Sequence, residues 1–393
     1  FIQPSRREIH EWKCILLGSS LRMEMMSPFQ QPEQCHFDVV GSFLRPESLT
    51  RARSDFEEGR IVYEQMRVVE DAAIRNLIKK QTEAGLIFFT DGEFRRYSWD
   101  FDFMWGFHGV DRRRDSNDPE IGVYLKDKIS VSKHPFIEHF EFVKTFEKGN
   151  AKAKQTIPSP SQFFHEMIFA PNLKNTRKFY PTNQELIDDI VFYYRQVIQD
   201  LYAAGCRNLQ LDDCAWCRLL DIRAPSWYGV DSHDRLQEIL EQFLWIHNLV
   251  MKDRPEDLFV SLHVCRGDYQ AEFFSRRAYD SIEEPLFAKT DVDSYHYYWA
   301  LDDKYSGGAE PLAYVSGEKH VCLGLISSNH SCIEDRDAVV SRIYEAASYI
   351  PLERLSLSPQ CGFASCEGDH RMTEEEQWKK IAFVKEIAKE IWG

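Results

Sequence analysis

Leu258-Phe259-Val260-Ser261-Leu262-His263-Val264-Cys265 is the stretch on which the reading of this chain turns. A short run rich in Leu, Phe and Val is a strand signal. It ends on a histidine and a cysteine two residues apart. Residues i and i+2 of a strand face the same way, so imidazole and thiol project together. Seven further runs have the same character: 36–42, 86–91, 154–158, 208–213, 292–299, 320–327 and 354–360. Amphipathic helices with readable ends lie between them. One covers about 60–84 and stops at Gly85, and one opens at the box Thr182-x-x-Glu185 and ends at Gly205. Others fit 234–252, 335–349 and 373–391, the last opened by Thr373-x-x-Glu376. Eight strands alternating with helices predict an α/β fold, a (β/α)8 TIM barrel. An open doubly wound sheet is the alternative, but no G-x-G-x-x-G follows the first strand.

Residues 1–35 lack sustained periodicity and read as an N-terminal extension; the barrel occupies 36–393. The stretch 97–153 fits the barrel least. Its alternating aromatics, from Tyr97 through Trp99, Phe101, Phe103 and Trp105 to Phe107, suggest a lid or hairpin inserted after the second strand.

With 43% hydrophobic and 28% charged residues over 393 positions, the chain has a globular balance. Its net charge of -15 argues against nucleic acid or an anionic membrane as partner. No apolar run reaches the roughly 18 residues that span a bilayer, and Cys14–Met26 is interrupted by Arg22 and Glu24. Ten scattered cysteines show no disulfide framework and fit a reducing, cytoplasmic setting. Cysteines clustered with histidine then deserve a metal hypothesis.

In a barrel, catalytic groups collect at the C-terminal strand ends. His263 and Cys265 lie at such an end, and Cys361 follows the eighth strand in Ser358-Pro359-Gln360-Cys361-Gly362. Three nitrogen and sulfur ligands from two strands fit a catalytic zinc with one open position; the alternative is that each is a buried core residue. Other strands also end in polar residues: Gly41-Ser42, Asp91-Gly92-Glu93 and Gln210-x-Asp212-Asp213. The pair Cys214-x-x-Cys217 beside them, having no second pair, is read as ordinary packing.

Phe37-Asp38-Val39-Val40-Gly41-Ser42-Phe43-Leu44-Arg45-Pro46, Thr90-Asp91-Gly92-Glu93-Phe94-Arg95-Arg96, Leu211-Asp212-Asp213, His263-Val264-Cys265-Arg266-Gly267 and Leu357-Ser358-Pro359-Gln360-Cys361-Gly362-Phe363 together resemble one family. It is the cobalamin-independent methionine synthase C-terminal domain family, in its stand-alone single-barrel branch. The resemblance runs from about His36 to the C-terminus. It implies a zinc-bearing barrel that transfers a methyl or other alkyl group to a thiol, with His263, Cys265 and Cys361 as metal ligands. It further implies that the amino-acid end of the thiol lies near Val40-Gly41-Ser42, Glu93 and Asp212, and that a methyl-folate faces Thr156-Ile157-Pro158-Ser159-Pro160. Asp212 and His330, the latter as proton donor, are the candidate catalytic residues.

Elementary chemistry agrees with such a site. A thiol with pKa near 8.5 is mostly protonated at neutral pH, and coordination to zinc deprotonates it. Glu93 and Asp212 suit a substrate ammonium, and the Gly41-Ser42 backbone N–H groups suit its carboxylate.

The chain departs from the family in places. Ungapped counting puts Tyr298 where the family has a fourth, glutamate ligand; with an insertion the position falls on Asp302, and His296 is close by. The folate-side tryptophan is not evident, Phe163 or Phe164 being nearest, and an N-terminal partner barrel like that of the full-length synthases is not expected. Two other readings follow: zinc-dependent addition of a thiol to an epoxide or activated alkene (or the reverse C–S cleavage) without folate, and a non-catalytic small-ligand-binding relative. The expected partners are a small-molecule thiol and an alkyl donor such as methyl-folate. Whether the chain forms a homodimer is open.

Overall fold

The computed structural model describes residues 36–115, 118–230, 233–265, 268–269, 272–273, 282–299, 301, 307–368 and 371–393. The expected N-terminal extension, 1–35, lies outside these, as do Arg266, Gly267 and Asp302. In chain order the strands are β1 (Phe88–Phe89), β2 (His108–Asp115), β3 (Asp118–Ser130), β4 (Lys152–Ala153), β5 (Gln155–Pro158), β6 (Asn208–Asp213), β7 (Phe259–Val264), β8 (Asp268–Tyr269), β9 (Glu272–Phe273), β10 (Ser294–Tyr298), β11 (His320–Ile326) and β12 (Leu355–Pro359).

A six-stranded parallel sheet runs β12-β11-β10-β7-β6-β5. At one edge Phe37 makes a parallel bridge to Leu357 of β12. At the other, β4 precedes β5 with one residue between and pairs in parallel with β1. The two ends of this series touch: Thr90 Oγ1 donates to the Gly41 carbonyl at 2.6 Å, and Phe43 N to the Gly92 carbonyl at 3.1 Å.

Alternation within the strands explains why the sheet is buried on both faces. Leu209, Leu211, Val260, Leu262, Tyr295, Tyr297, Val321, Leu323, Leu355 and Leu357 form the face that joins the large apolar core with the helices. The intervening residues are polar yet equally buried. In register, Gln210 lies beside Ser261 and Ser261 beside Ser294; one step further on, Asp212 lies beside His263, His263 beside His296, and His296 beside Cys322.

Helices follow where their patterns place them, at Tyr63–Ala84, Asn183–Ala203, His233–Met251, Arg336–Ala346 and Glu374–Trp392. Gly85 closes the first in the left-handed conformation, and the Thr373/Glu376 capping box is fully formed. The insertion does contain a hairpin, but it is β2–β3, later than the aromatic run suggested. Residues 97–107 are turns and a short helix, Phe101–Met104, whose Phe103 and Phe107 pack on His134 and Tyr194. Helical spacing from 103 to 107 competes with a two-residue period in a run this aromatic. The hairpin is tied to a helix by Asn175, which exchanges hydrogen bonds of 2.8 and 3.0 Å with the Leu125 backbone. No helix among the described residues is long and apolar enough to cross a membrane.

Leu262 is fully buried on the helix-facing side of β7. Leu262→Ala is expected to lower stability by roughly 2–5 kcal/mol through lost burial and a residual cavity. The check is a urea titration, where the midpoint should fall with an unchanged slope. A loss well under 1 kcal/mol would mean that this face is not core.

Candidate metal centre and adjoining polar pocket

The C-terminal ends of β7 and β12 bring His263, Cys265 and Cys361 together. Their donor atoms all lie within 4.8 Å of one another, and the residues are 3%, 8% and 6% exposed. The local backbone explains the meeting. Cys265 continues β7, its N–H bonded to the Asp213 carbonyl of β6 at 3.0 Å. Cys361 stands just beyond β12, where Gln360 N reaches the Ile326 carbonyl at 2.7 Å.

Cys265 and His263 shift in opposite directions. Hydrogen bonds from Cys214 and Cys361, with help from His263, hold the Cys265 thiol well below its usual range against the effect of burial. For His263 burial acts downward, but the Cys265 sulfur and Asp212 outweigh it and raise the imidazole.

These residues fit a thiophilic divalent ion. The buried His263 Nδ1 has no hydrogen-bond partner, and the donors are one nitrogen and two sulfurs. The two sulfurs stand 3.0 Å apart. Thiolates sharing a tetrahedral ion with bonds near 2.3 Å sit about 3.8 Å apart, so a change of under an ångström reconciles the two.

Of the expected fourth ligands, Tyr298 is buried against Cys265 and Cys361. His296 sits one step deeper, its Nε2 3.6 Å from Asp38 Oδ2 and its ring 6.2 Å from that of His263. Burial, Lys154 and His263 push its pKa well down. The Cys214-x-x-Cys217 pair divides. Cys217 is in the main core as expected, whereas the half-buried Cys214 packs on the Cys265–Cys361–Tyr298 cluster. Both cysteines pack, as read, but on different clusters, Cys214 lying on the side of the candidate metal centre.

Beside His263 in the sheet lies a cluster of buried polar groups. Gly41 adopts φ +145°, and a Cβ there would stand 2.7 Å from the Thr156 methyl, so only glycine fits. Ser42 is buried, and its carbonyl accepts from Phe363 N at 3.0 Å. Glu93 is buried with φ 61°, directly after Gly92 at φ 68°. Its Oε1 accepts from Thr156 Oγ1 at 3.0 Å and Arg96 at 3.1 Å, whereas the buried Oε2 has no hydrogen-bond partner. Burial raises the Glu93 pKa, with Arg96 opposing. Asp212 Oδ1 accepts from the Gln210 amide at 2.7 Å, and the same amide reaches the Val40 carbonyl at 2.6 Å. Burial pushes Asp212 up to about 7, His263 acting against this and Glu93 adding to it. Of the residues expected at the substrate, Gly41, Glu93 and Asp212 thus approach one another through Thr156 and Gln210, while Ser42 borders the loop after β12. His330 is half-buried in the loop after β11, outside the three-donor cluster.

The expected folate face is less like its reading. Phe163 and Phe164 are fully buried core residues and present no face. Helix Pro160–Ile168 contributes polar groups instead: the Gln162 amide lies 3.4 Å from Asp100 and 3.3 Å from Glu166. Burial pushes Glu166 up to about 7, with Arg218 opposing and Asp100 adding. The i,i+4 spacing of Gln162 and Glu166 was legible as one helix face, but nothing in the sequence placed Asp100 opposite it.

The model of the cobalamin-independent synthase catalytic domain matches residues 176–388. An uncharacterized Bacillus subtilis protein, YxjG, is 36% identical over 90% of this chain and 94% of its own length. The methionine synthase of Saccharolobus solfataricus is 23% identical, covering 82% of this chain and 86% of that protein. Among solved structures, a Listeria monocytogenes protein named only provisionally as a vitamin-B12 independent methionine synthase is similar with TM-score 0.72 and 33% identity, over 94% of this chain and all of that one. A B12-independent methionine synthase from Shewanella, solved with selenomethionine, shares the fold at TM-score 0.67 and 16% identity, over 90% of this chain and 96% of that one. The α/β architecture, the donor cluster at its strand ends and these similarities lead to one conclusion: the chain belongs to the cobalamin-independent methionine synthase family.

Proposed function

We propose that this protein is a zinc-dependent transferase that moves a methyl or larger alkyl group onto a small-molecule thiol, within a closed (β/α)8 barrel formed by residues 36–393. The observation that carries the proposal is the convergence of three soft and borderline donors within 4.8 Å at one rim, beside a buried carboxylate oxygen that has no partner. His263, Cys265 and Cys361 would hold the ion. Zinc supplies one thing when bound: it keeps a thiol deprotonated at neutral pH. The rest falls to the chain. Glu93, through its unpartnered Oε2, and Asp212 hold a substrate ammonium, and the backbone at Gly41 and Ser42 receives a carboxylate. Burial of the pocket excludes water from these contacts. In the transfer, the carbon–heteroatom bond of the donor breaks as the carbon–sulfur bond forms, and His330 is the candidate to return a proton to the leaving atom.

Two features keep a folate-free variant of this chemistry in view: Tyr298, which ungapped counting sets at the family's glutamate position, is buried against Cys265 and Cys361, and neither Phe163 nor Phe164 presents a ring on the donor side. In that variant the activated thiol adds to an epoxide or alkene. Turnover that requires methyl-folate favours methyl transfer; turnover with thiol and electrophile alone favours addition.

Elemental analysis should find about one zinc per chain, lost in His263→Ala and in Cys361→Ser. Well-folded wild-type protein without zinc, or a Cys361→Ser variant with full metal and activity, would sink the proposal.

Asp212 yields a separate expectation in metal-stripped protein. Its folded pKa of about 7 exceeds the roughly 3.9 of an unfolded aspartate, so between those values the folded state holds a proton that the unfolded state lacks. Stability therefore declines as pH rises from about 4 to about 7 and then levels, by at most about 1.4 kcal/mol per pH unit. Subtracting the Asp212→Asn stability profile from that of wild type should isolate this slope. A flat difference curve would show that Asp212 is ionised throughout.

A further inference from the structure

Cys214 is a thiol beside the candidate ligands that the proposed chemistry leaves unused, and the sheet register explains where it stands. Asp213 of β6 pairs with Val264 of β7, and Val264 with Tyr297 of β10. One residue further along, Cys214, Cys265 and Tyr298 therefore come abreast on three neighbouring strand ends. The Cys214 backbone is fixed from two directions: its N–H donates to Gln162 Oε1 at 3.2 Å, and its carbonyl accepts from Arg218 N at 3.3 Å. Held so, its side chain leaves the main core, where Cys217 remains, and packs on the cluster of Cys265, Cys361 and Tyr298. Cys214 is not among the donors that gather within 4.8 Å; those belong to His263, Cys265 and Cys361.

We propose that Cys214 is a positioning residue of the metal centre, whose thiol donates a hydrogen bond to the Cys265 sulfur from the β6 side. The inference rests on the reading of His263, Cys265 and Cys361 as metal ligands. A ligand sulfur that accepts a hydrogen bond gives less charge to its ion and is held in orientation, which is the usual work of groups just outside a coordination sphere. The S–H group is a weak donor, and in a buried, low-dielectric setting its contact with a charged sulfur counts for more than in water. Two consequences follow for the bound ion: Cys265 is kept on the side facing Cys361, and the centre is less electron-rich than two unassisted thiolates would make it.

The test uses the full chain loaded separately with cobalt and with zinc, as wild type, Cys214→Ser and Cys214→Ala. With cobalt, the thiolate-to-metal absorption should keep its intensity in all three, because the ligand count does not change. Its energy should shift in the alanine variant and return toward wild type in the serine variant, which retains a donor. Chelator competition should show zinc binding weakened about 10-fold in Cys214→Ala and less in Cys214→Ser. Loss of about one third of the absorption in both variants would make Cys214 a third sulfur ligand and overturn the proposal. Identical spectra and affinities in all three proteins would make it a bystander, which also overturns it. Failure of the wild-type chain to take up either metal is a different result: it removes the metal-centre reading itself.

Discussion

Slipping any one of the central strands by a single residue would turn Asp212, His263 or His296 out of the sheet interior and into the apolar layer beneath the helices. A side chain changes face with every residue of a strand, so such a slip moves the whole polar set at once. Moving a carboxylate or imidazole into that layer without partners costs several kcal/mol. The buried polar face thus holds β6, β7 and β10 to one register, and that register sets the distances in the candidate metal centre and among the polar groups beside it. Leu209, Leu211, Val260 and Leu262 act on the opposite face to the same end.

Along that interior, polar groups satisfy one another unevenly. Deeper in, Lys154 reaches both Asp38, at 2.8 Å, and the Val39 carbonyl. Asp213 is saturated by Ser159, Ser161 and the Ala215 N–H. Toward the rim Glu93 Oε2, His263 Nδ1 and Gln210 Oε1 have no hydrogen-bond partner, and deeper on the same face neither do Asn208 Oδ1, Ser261 Oγ and His296 Nδ1. Buried polar atoms without partners are rare in folded proteins, and this face carries several of them. The backbone shows the same pattern, since Glu93 is held in a left-handed conformation that costs about 1–3 kcal/mol for a residue with a side chain. Local strain and missing partners coincide where the pocket needs rigid, unsatisfied groups.

Much of this was legible residue by residue. The period-2 pattern of 258–265 identified β7 and the shared direction of His263 and Cys265, and Gly85 and Thr373 marked helix ends that the structure shows. What escaped was information carried between strands. Nothing in Cys214-Ala215-Trp216-Cys217 says that its first cysteine stands abreast of Cys265, because that depends on the Asp213–Val264 pairing. Asp100 and Glu166 are 66 positions apart and meet only through Gln162. The first strand illustrates the opposite error. Residues 36–42 read as a full strand, yet only Phe37 makes a bridge, because the chain must turn at Gly41 to bring Ser42 against the loop after β12. Phe163 and Phe164 looked available for a ligand because aromatic residues suit both pockets and cores, and the core claimed them.

That loop after β12 has a further consequence. A Cβ on Gly362 would collide with the Ser42 hydroxyl, and Phe363 N is bonded to the Ser42 carbonyl. Gly362 directly follows Cys361, so one donor of the metal centre and one wall of the pocket share a seam with no slack. Under the proposed function the ion and the substrate would meet at this seam, and any effect that filling one site has on the affinity of the other is returned with the same free energy.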